Sequence, residues 1–170
     1  GTWEADAAGV LEMPVNKSIS NDNANIVLRG PGSVIQSYQT SIQGEVSLDS
    51  TLTTIGSTGA LHLLDGRGFA GVLDITNNGL LELGGGGFHA ASLVNQAGPT
   101  VGGYGTIQTQ AINHGMIEAA GGVLDLHAGL VGTGGWLRID AGAAIDLHTG
   151  SQKAVFNGAG AGLTLESPAR

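Results

Sequence analysis

Two copies of one short segment carry the residue types best suited to chemistry. Leu124–Gly129 and Ile145–Gly150 share an Asp-x-His pattern. Imidazoles and carboxylates often bind divalent metals, so stacking the two copies would assemble a candidate site for weak metal or ligand contacts from Asp125, His127, Asp146 and His148. The competing interpretation is a row of solvent-facing side chains on two Leu-x-Leu strands. No further ligand is evident, so we favour that row and expect no metal and no cofactor.

Three asparagines recur at a fixed interval. Asn77, Asn95 and Asn113 are equally spaced along the chain, and each follows a short pair of apolar or β-branched residues. They could line a strip that binds glycans, or they could stack inside a corner, where each amide bonds its neighbour and the turn backbone. Because buried polar groups are hydrogen-bonded, we predict the second arrangement, a structural ladder.

The acidic residues show no pattern that predicts catalysis. Cleavage of a polysaccharide needs clustered carboxylates, or a carboxylate-bound metal with a basic residue as proton acceptor. The acids are dispersed along the chain, and stacking could still bring a pair such as Asp125 and Asp146 together. Such a pair is more often a cation contact or a repulsion softened by solvent. We therefore predict no catalytic residues and expect that the chain is not an enzyme.

The composition excludes several classes of protein. The 170 residues include 31 glycines and no cysteine, only 4% are aromatic, and the formal net charge is −8. The six basic residues are dispersed, which argues against a phosphate-binding surface and so against nucleic acid as a partner. No run approaches the roughly 18 apolar residues that span a bilayer. We expect membrane association only through missing parts of a longer protein.

Short apolar alternations that follow a glycine indicate the β-strands that would position the candidate site residues. Period-2 alternation puts leucine and isoleucine on one face and polar residues on the other, as in a strand with one dry face. Glycine and asparagine suit the bends between such strands, because both tolerate positive φ. The glycines repeat at one constant spacing in the pairs Gly59 and Gly79, Gly115 and Gly135, and Gly122 and Gly142. The alternation occurs in Gly59–Leu63, Gly79–Leu83, Gly115–Ala119, Gly122–Leu126, Gly135–Ile139 and Gly162–Leu165.

Several strand–turn units within one period are what a turn of a parallel β-helix requires. We predict an all-β fold, a single right-handed parallel β-helix (β-solenoid) of about seven or eight coils with about 17–27 residues per coil. The unit covers 1–170 and is interpreted as a piece of a longer repeat protein. Residues 1–57 are expected to form less regular coils with loops, chiefly at Asn16–Asn23, and 58–170 regular coils. We expect Gly84–Gly87 to be a flexible corner.

The chain resembles the glycine-rich β-helical passenger regions of bacterial autotransporters and related large secreted surface adhesins. The resemblance rests on Ile75–Gly86 and Ala111–Gly122, and the tail Ala154–Leu165 is similar to segments common in such proteins. It covers the chain from about Thr58 onward. The resemblance implies export to the cell surface or the medium. It does not imply one activity, because this architecture carries adhesins, enzymes and inert stalks.

These observations favour a non-catalytic structural or adhesive module that forms part of a stiff stalk or fibre. One alternative is a fragment of a carbohydrate-active β-helix enzyme of the lyase or hydrolase type, and another is a module that recognises glycans. The cut ends of a solenoid expose strand edges, so a second copy of the chain is an expected partner through end-to-end association. A host or matrix glycan or protein is the other expected partner.

Overall fold

Nearly all regular structure in this protein is β-strand. A computed structural model describes residues 1–166, and the last four residues of the predicted unit, 167–170, lie outside the described part. No helix of the described residues is long and apolar enough to cross a membrane. The elements in chain order are β1 (Thr2–Asp6), β2 (Val10–Glu12), β3 (Asn21–Asp22), β4 (Asn25–Arg29), β5 (Val34–Gln39), β6 (Gly44–Ser47), α1 (Leu48–Thr51), β7 (Thr54–Ile55), β8 (Ala60–Leu64), β9 (Phe69–Ala70), β10 (Asp74–Asn77), β11 (Leu80–His89), β12 (Ser92–Asn95), β13 (Thr100–Ile107), β14 (Ala111–Asn113), β15 (Met116–Leu126), β16 (Leu130–Val131), β17 (Trp136–Asp140), β18 (Ala144–Leu147), β19 (Lys153–Asn157) and β20 (Gly162–Leu165).

The strands stack as a parallel β-solenoid of about eight turns, which confirms the predicted β-helix. The longest sheet path runs β1-β4-β8-β11-β13-β15-β17-β19, and every neighbouring pair along it is parallel. A second sheet stacks β16-β14-β12-β10-β7-β3. The chain therefore returns to the same sheets after each coil, and equivalent residues of successive coils lie about 4.8 Å apart.

Coil length is constant over two coils in the middle of the chain and varies before and after them. Ala60, Leu80 and Thr100 are paired in successive coils, which are therefore equal in length. Thr100 pairs with Met116, so the coil that follows the two equal ones is shorter than the predicted range.

Ala60 also pairs with Asn25, so the preceding coil is much longer and exceeds the predicted range. This coil contains β5, its antiparallel partner β6 and the helix α1. The sequence predicted loops within residues 1–57 but placed them chiefly at Asn16–Asn23, whereas this insertion lies at Val34–Thr51.

Gly84–Gly87 is not a flexible corner, as the sequence suggested, but the middle of the continuous strand β11. The pairing of β11 with β13 shifts register between Gly84 and Gly87, which marks a β-bulge. Gly85 has a φ of +95°, a backbone conformation that residues other than glycine rarely adopt. The glycines therefore bend one strand where the coil changes direction, without interrupting its ladder.

The interior consists of columns of like residues. One column, contributed by the first half of the long sheet, has no exposed surface on any of its members, namely Leu61, Leu81, Val101, Ile117 and Leu137. A parallel column begins with Phe69 and Phe88, whose rings stack with centroids 5.0 Å apart. Burying each leucine contributes about 1.5–3 kcal/mol. Stability thus accumulates coil by coil from contacts between neighbours.

A buried ion pair fastens the irregular coil to the regular ones. Arg67 Nη2 lies 2.8 Å from Asp49 Oδ1, and both side chains are almost fully buried. Arg67 Nε also donates to the carbonyl of Ser33, and the second carboxylate oxygen of Asp49 accepts from the backbone N–H of Ala70. These bonds satisfy both charges, as burial of an ion pair requires.

Candidate functional site

The three asparagines form a buried row at the ends of β10, β12 and β14. The register pairs Asn77 with Asn95 and Asn95 with Asn113. Asn77 Nδ2 donates to Asn95 Oδ1 at 2.8 Å, and Asn95 Nδ2 donates to Asn113 Oδ1 at 2.8 Å. None of the three has exposed surface. An external glycan cannot reach these amides, so their role in this fold is structural.

The asparagines also bond the backbone of the bends that follow them, and Asn95 Nδ2 donates to the carbonyl of Pro99 at 3.4 Å. The backbone N–H groups of Gly79 and Gly115 donate to Asn77 Oδ1 and Asn113 Oδ1 at 3.1 and 3.2 Å. Gln152, which sequence reasoning missed, closes the row because its Oε1 accepts from Asn113 Nδ2 at 2.7 Å. Gln152 lies far along the chain and outside the regular interval of the asparagines, so that interval could not indicate it.

The two Asp-x-His segments lie side by side, on β15 and β18 and at the bends that follow them. The register pairs Asp125 with Asp146. Asp125 Oδ1 lies 3.0 Å from His148 Nε2, and Asp125 Oδ2 lies 3.9 Å from His127 Nδ1. The imidazole rings meet edge to face with centroids 4.7 Å apart. The donor atoms of Asp125, His127 and His148 all lie within 4.8 Å of one another.

The structure changes the membership of this group. Asp146 is not among the residues whose donor atoms converge. Glu166, which was not predicted, has its Oε2 3.0 Å from His148 Nδ1. Leu147 pairs with Leu165, so Glu166 occupies in the next coil the position that His148 occupies in its own. A sequence signal for Glu166 does exist, because it directly follows the alternation Leu163–Leu165 as His148 follows Ile145–Leu147.

A second candidate site is an open groove of about 300 Å³ on the outer face of the long sheet. Its floor is made of glycine backbone from β11 and β13, including Gly84, Gly102 and Gly103. Tyr104 lines it with 40% of its surface exposed. The charged residues along the groove are Arg29, Asp65, Glu82 and Glu118.

Tyr104 fits into the sheet because the adjacent coils carry glycine. A Cβ atom added at Gly85 would lie 3.1 Å from Tyr104 Cε2, and one at Gly122 would lie 3.1 Å from Tyr104 Cβ. Both distances are tighter than ordinary side-chain contacts. The ring therefore has glycine backbone on both sides and one open face toward the groove. An exposed aromatic face of this kind can pack against an apolar ligand surface while its hydroxyl stays hydrated.

The two glutamates of the groove are two coils apart with Gly102 between them. At about 4.8 Å per coil their backbones are about 9.6 Å apart. Glu82 contacts His62 Nδ1, and Glu118 Oε1 lies 3.2 Å from Arg138 Nε. Burial raises the pKa of Glu118, and the charge of Arg138 opposes this effect only in part. Each glutamate thus already has a partner on the sheet.

Comparison with known protein families, characterised proteins and solved structures finds no match to this chain.

Proposed function

We propose that the chain is a non-catalytic structural or adhesive module of a bacterial protein that is secreted or displayed on the cell surface. In this proposal it forms a stiff segment of a stalk or fibre. The observation that carries the proposal is the unbroken parallel pairing of eight strands from β1 to β19. These eight strands extend about 34 Å along the axis at about 4.8 Å per coil.

Stiffness follows from what connects the coils. Backbone hydrogen bonds, the buried apolar column that contains Leu81 and the asparagine row all run parallel to the axis. Bending the rod would stretch these contacts on one side, and each buried amide left without a partner would cost about 1–3 kcal/mol. The resemblance of the glycine-rich repeats to passenger regions of autotransporters supports export. We propose the surface or the medium as the location for that reason.

The last coil of the described residues supports end-to-end association with a further coil or a second copy. Phe156 follows the buried Ile139 in its column, and Leu165 follows the buried Leu147. Phe156 is 54% exposed and Leu165 is 66% exposed. The apolar column therefore continues to a surface that another coil of the same kind would cover. Phe156→Lys should lower the association constant of the chain in sedimentation experiments, whereas Val72→Lys, at a residue exposed by 74%, should not.

Recognition of a glycan is the second candidate function, and the groove beside Tyr104 favours it. An aromatic face next to hydrogen-bonding carboxylates and a guanidinium is suited to a sugar ring, which has apolar C–H faces and polar edges. The net charge of −8 disfavours strongly anionic polysaccharides. A neutral or amino sugar is the class that fits this groove.

Catalysis in the same groove is less well supported. The backbones of Glu82 and Glu118 are about 9.6 Å apart, whereas the range of about 6.5–9.5 Å in inverting glycosidases is the separation of the carboxyl groups themselves. Such an enzyme needs one carboxylate free to act as base and the other free to give up its proton. Here His62 and Arg138 engage both groups. We therefore propose that these contacts are structural.

A glycan array and an assay for reducing-sugar release on the same purified chain separate these functions. We expect no release by the wild type. Binding that is lost in Tyr104→Ala and kept in Tyr38→Ala, an equally exposed tyrosine outside the groove, would support recognition. Sugar release that disappears in Glu82→Gln or Glu118→Gln would overturn the non-catalytic proposal.

A further inference from the structure

The imidazole and carboxylate group at the end of β15 and β18 has the composition of a transition-metal site. We propose that Asp125, His127 and His148 bind one Zn²⁺ ion, with Glu166 orienting His148 from behind. The sequence favoured a row of independent solvent-facing side chains. Two observations argue for an ion instead: the donor atoms of three residues converge within 4.8 Å, and one oxygen of Asp125 is buried without a hydrogen bond.

The distances suit the coordination of zinc. Zn²⁺ binds imidazole nitrogen and carboxylate oxygen at about 2.0–2.2 Å in a tetrahedral arrangement, so neighbouring ligand atoms lie about 3.3 Å apart. Asp125 Oδ1 and His148 Nε2 are 3.0 Å apart. His127 Nδ1 is 3.9 Å from the second oxygen of Asp125, and the His127 side chain is 61% exposed. Rotation of this exposed ring toward the other two ligands would complete three protein ligands and leave a fourth position for water.

Asp125 Oδ1 is the atom that most needs a partner. It is inaccessible to solvent and accepts no hydrogen bond among the described residues. His148 Nε2 lies 3.0 Å from it but is not aligned as a hydrogen-bond donor. A buried oxygen without a partner costs about 1–3 kcal/mol. An ion between the oxygen and the nitrogen would satisfy both atoms.

Glu166 occupies the position of an orienting carboxylate. Metal-binding histidines usually present their second ring nitrogen to a carboxylate or a carbonyl, which fixes the tautomer that leaves the other nitrogen free for the metal. His148 Nδ1 lies 3.0 Å from Glu166 Oε2, and His148 Nε2 lies 3.0 Å from Asp125 Oδ1. Neither contact is aligned as a hydrogen bond, so a small rotation of the imidazole ring would bring Nδ1 into line with Glu166 and Nε2 into line with the ion. The ligands also sit on or beside paired strands of adjacent coils, so the backbone holds their spacing before any ion binds.

The same column provides a matched control. His89, Gln108 and His127 occupy equivalent positions in three successive coils. Two positions before His89 is Gly87, whereas two positions before His127 is Asp125, which supplies the carboxylate. His89 is an exposed histidine on the same face with no carboxylate beside it in that column. A site that needs only an exposed imidazole would include His89, and the proposed site does not.

Isothermal titration of the metal-free full chain with Zn²⁺ tests the proposal. We expect one ion per chain, unchanged binding in His89→Ala, and weaker binding in Asp125→Asn, His127→Ala and His148→Ala. The affinity of these three variants for Zn²⁺ should fall by more than the roughly 10–100-fold that removal of an orienting partner causes. The affinity of Glu166→Gln should fall within that range. Circular dichroism checks that each variant is folded, and His127→Ala is the safest of them because its side chain is mostly exposed.

Three results would overturn the zinc site. The first is no saturable binding of Zn²⁺ by the wild type. The second is binding that His127→Ala leaves intact in a folded chain, or that His89→Ala removes. The third is binding of Ca²⁺ as tight as that of Zn²⁺, because calcium prefers oxygen ligands and would not require the imidazoles. None of these results bears on the proposed structural function, which depends on the stacking of coils.

Discussion

Replacing Asn95 with alanine removes the central member of the buried asparagine row. Asn95 accepts a hydrogen bond from Asn77 Nδ2 at 2.8 Å and donates to Asn113 Oδ1 at 2.8 Å. It also donates to the carbonyls of Met116 at 3.0 Å and Pro99 at 3.4 Å. Alanine can make none of these bonds, and no water reaches a site whose residues have no exposed surface.

The expected loss of stability follows from these contacts. Three of the bonds are short, and each contributes about 0.5–1.5 kcal/mol, which gives about 1.5–4.5 kcal/mol in total. The partners stay buried without full replacement, so the upper part of this range applies, about 3–4.5 kcal/mol. For a domain of this size, 1 kcal/mol shifts the melting temperature by about 2–4 °C. We therefore expect a decrease of about 6–18 °C.

Urea and thermal unfolding of Asn95→Ala, monitored by circular dichroism, measure this loss against Asn78→Ala. Asn78 is the next residue after the first member of the row, and its side chain makes no hydrogen bond in the described part of the chain. The control should stay within about 0.5 kcal/mol of the wild type. Equal effects of the two substitutions would refute the argument that the row stabilises the stacked coils.

Three further substitutions test other parts of the fold. Gly103→Ala should destabilise the chain in urea unfolding by at least about 2 kcal/mol more than Gly98→Ala. Both glycines have φ near +100°, but an added Cβ overlaps the carbonyl of the adjacent coil only at Gly103. Similar losses in the two variants would contradict the close approach of the two coils at Gly103. Arg67→Met should cost about 3–5 kcal/mol because it leaves Asp49 buried without its partner, and adding Asp49→Asn should cost less than the sum of the single changes. Burial raises the pKa of Asp22 above its value in the unfolded chain, so the ionised carboxylate destabilises the fold. The free energy of unfolding of the wild type, relative to that of Asp22→Asn, should therefore increase as the pH falls through the raised pKa toward about 3.9, the ordinary value. A difference that stays constant with pH would contradict this.

The sequence predicts the fold well where coil length is constant. The interval between Gly59 and Gly79 matches the pairing of Ala60 with Leu80, and the constant interval of the asparagines matches their register. Glycine spacing alone can mislead. Gly122 and Gly142 repeat the interval of Gly59 and Gly79, but Val123 pairs with Ala144, so the true offset there is one position longer. In this coil the apolar and acidic residues, not the glycines, indicate the register.

The remaining features depend on contacts that no local pattern records. The insertion before Ala60 folds back as a hairpin and a short helix, and it is held by Arg67 through a bond to Asp49. The groove beside Tyr104 exists because bulged glycines in β11 and β15 leave space for the ring. Glu166 joins His148 only through the pairing of β18 with β20. Each of these features requires the register to be known first.

The most direct test of the stacked coils is a set of distances along one outward column. One outward column contains Glu4, His62, Glu82 and Val155. The first three residues lie seven, five and four coils away from Val155, respectively. The chain has no cysteine, so paired cysteines can carry nitroxide labels for pulsed electron paramagnetic resonance. We expect distances from position 155 of about 34, 24 and 19 Å for positions 4, 62 and 82, set by about 4.8 Å per coil. Distances that do not increase with the number of coils would contradict the solenoid and the proposed rod together.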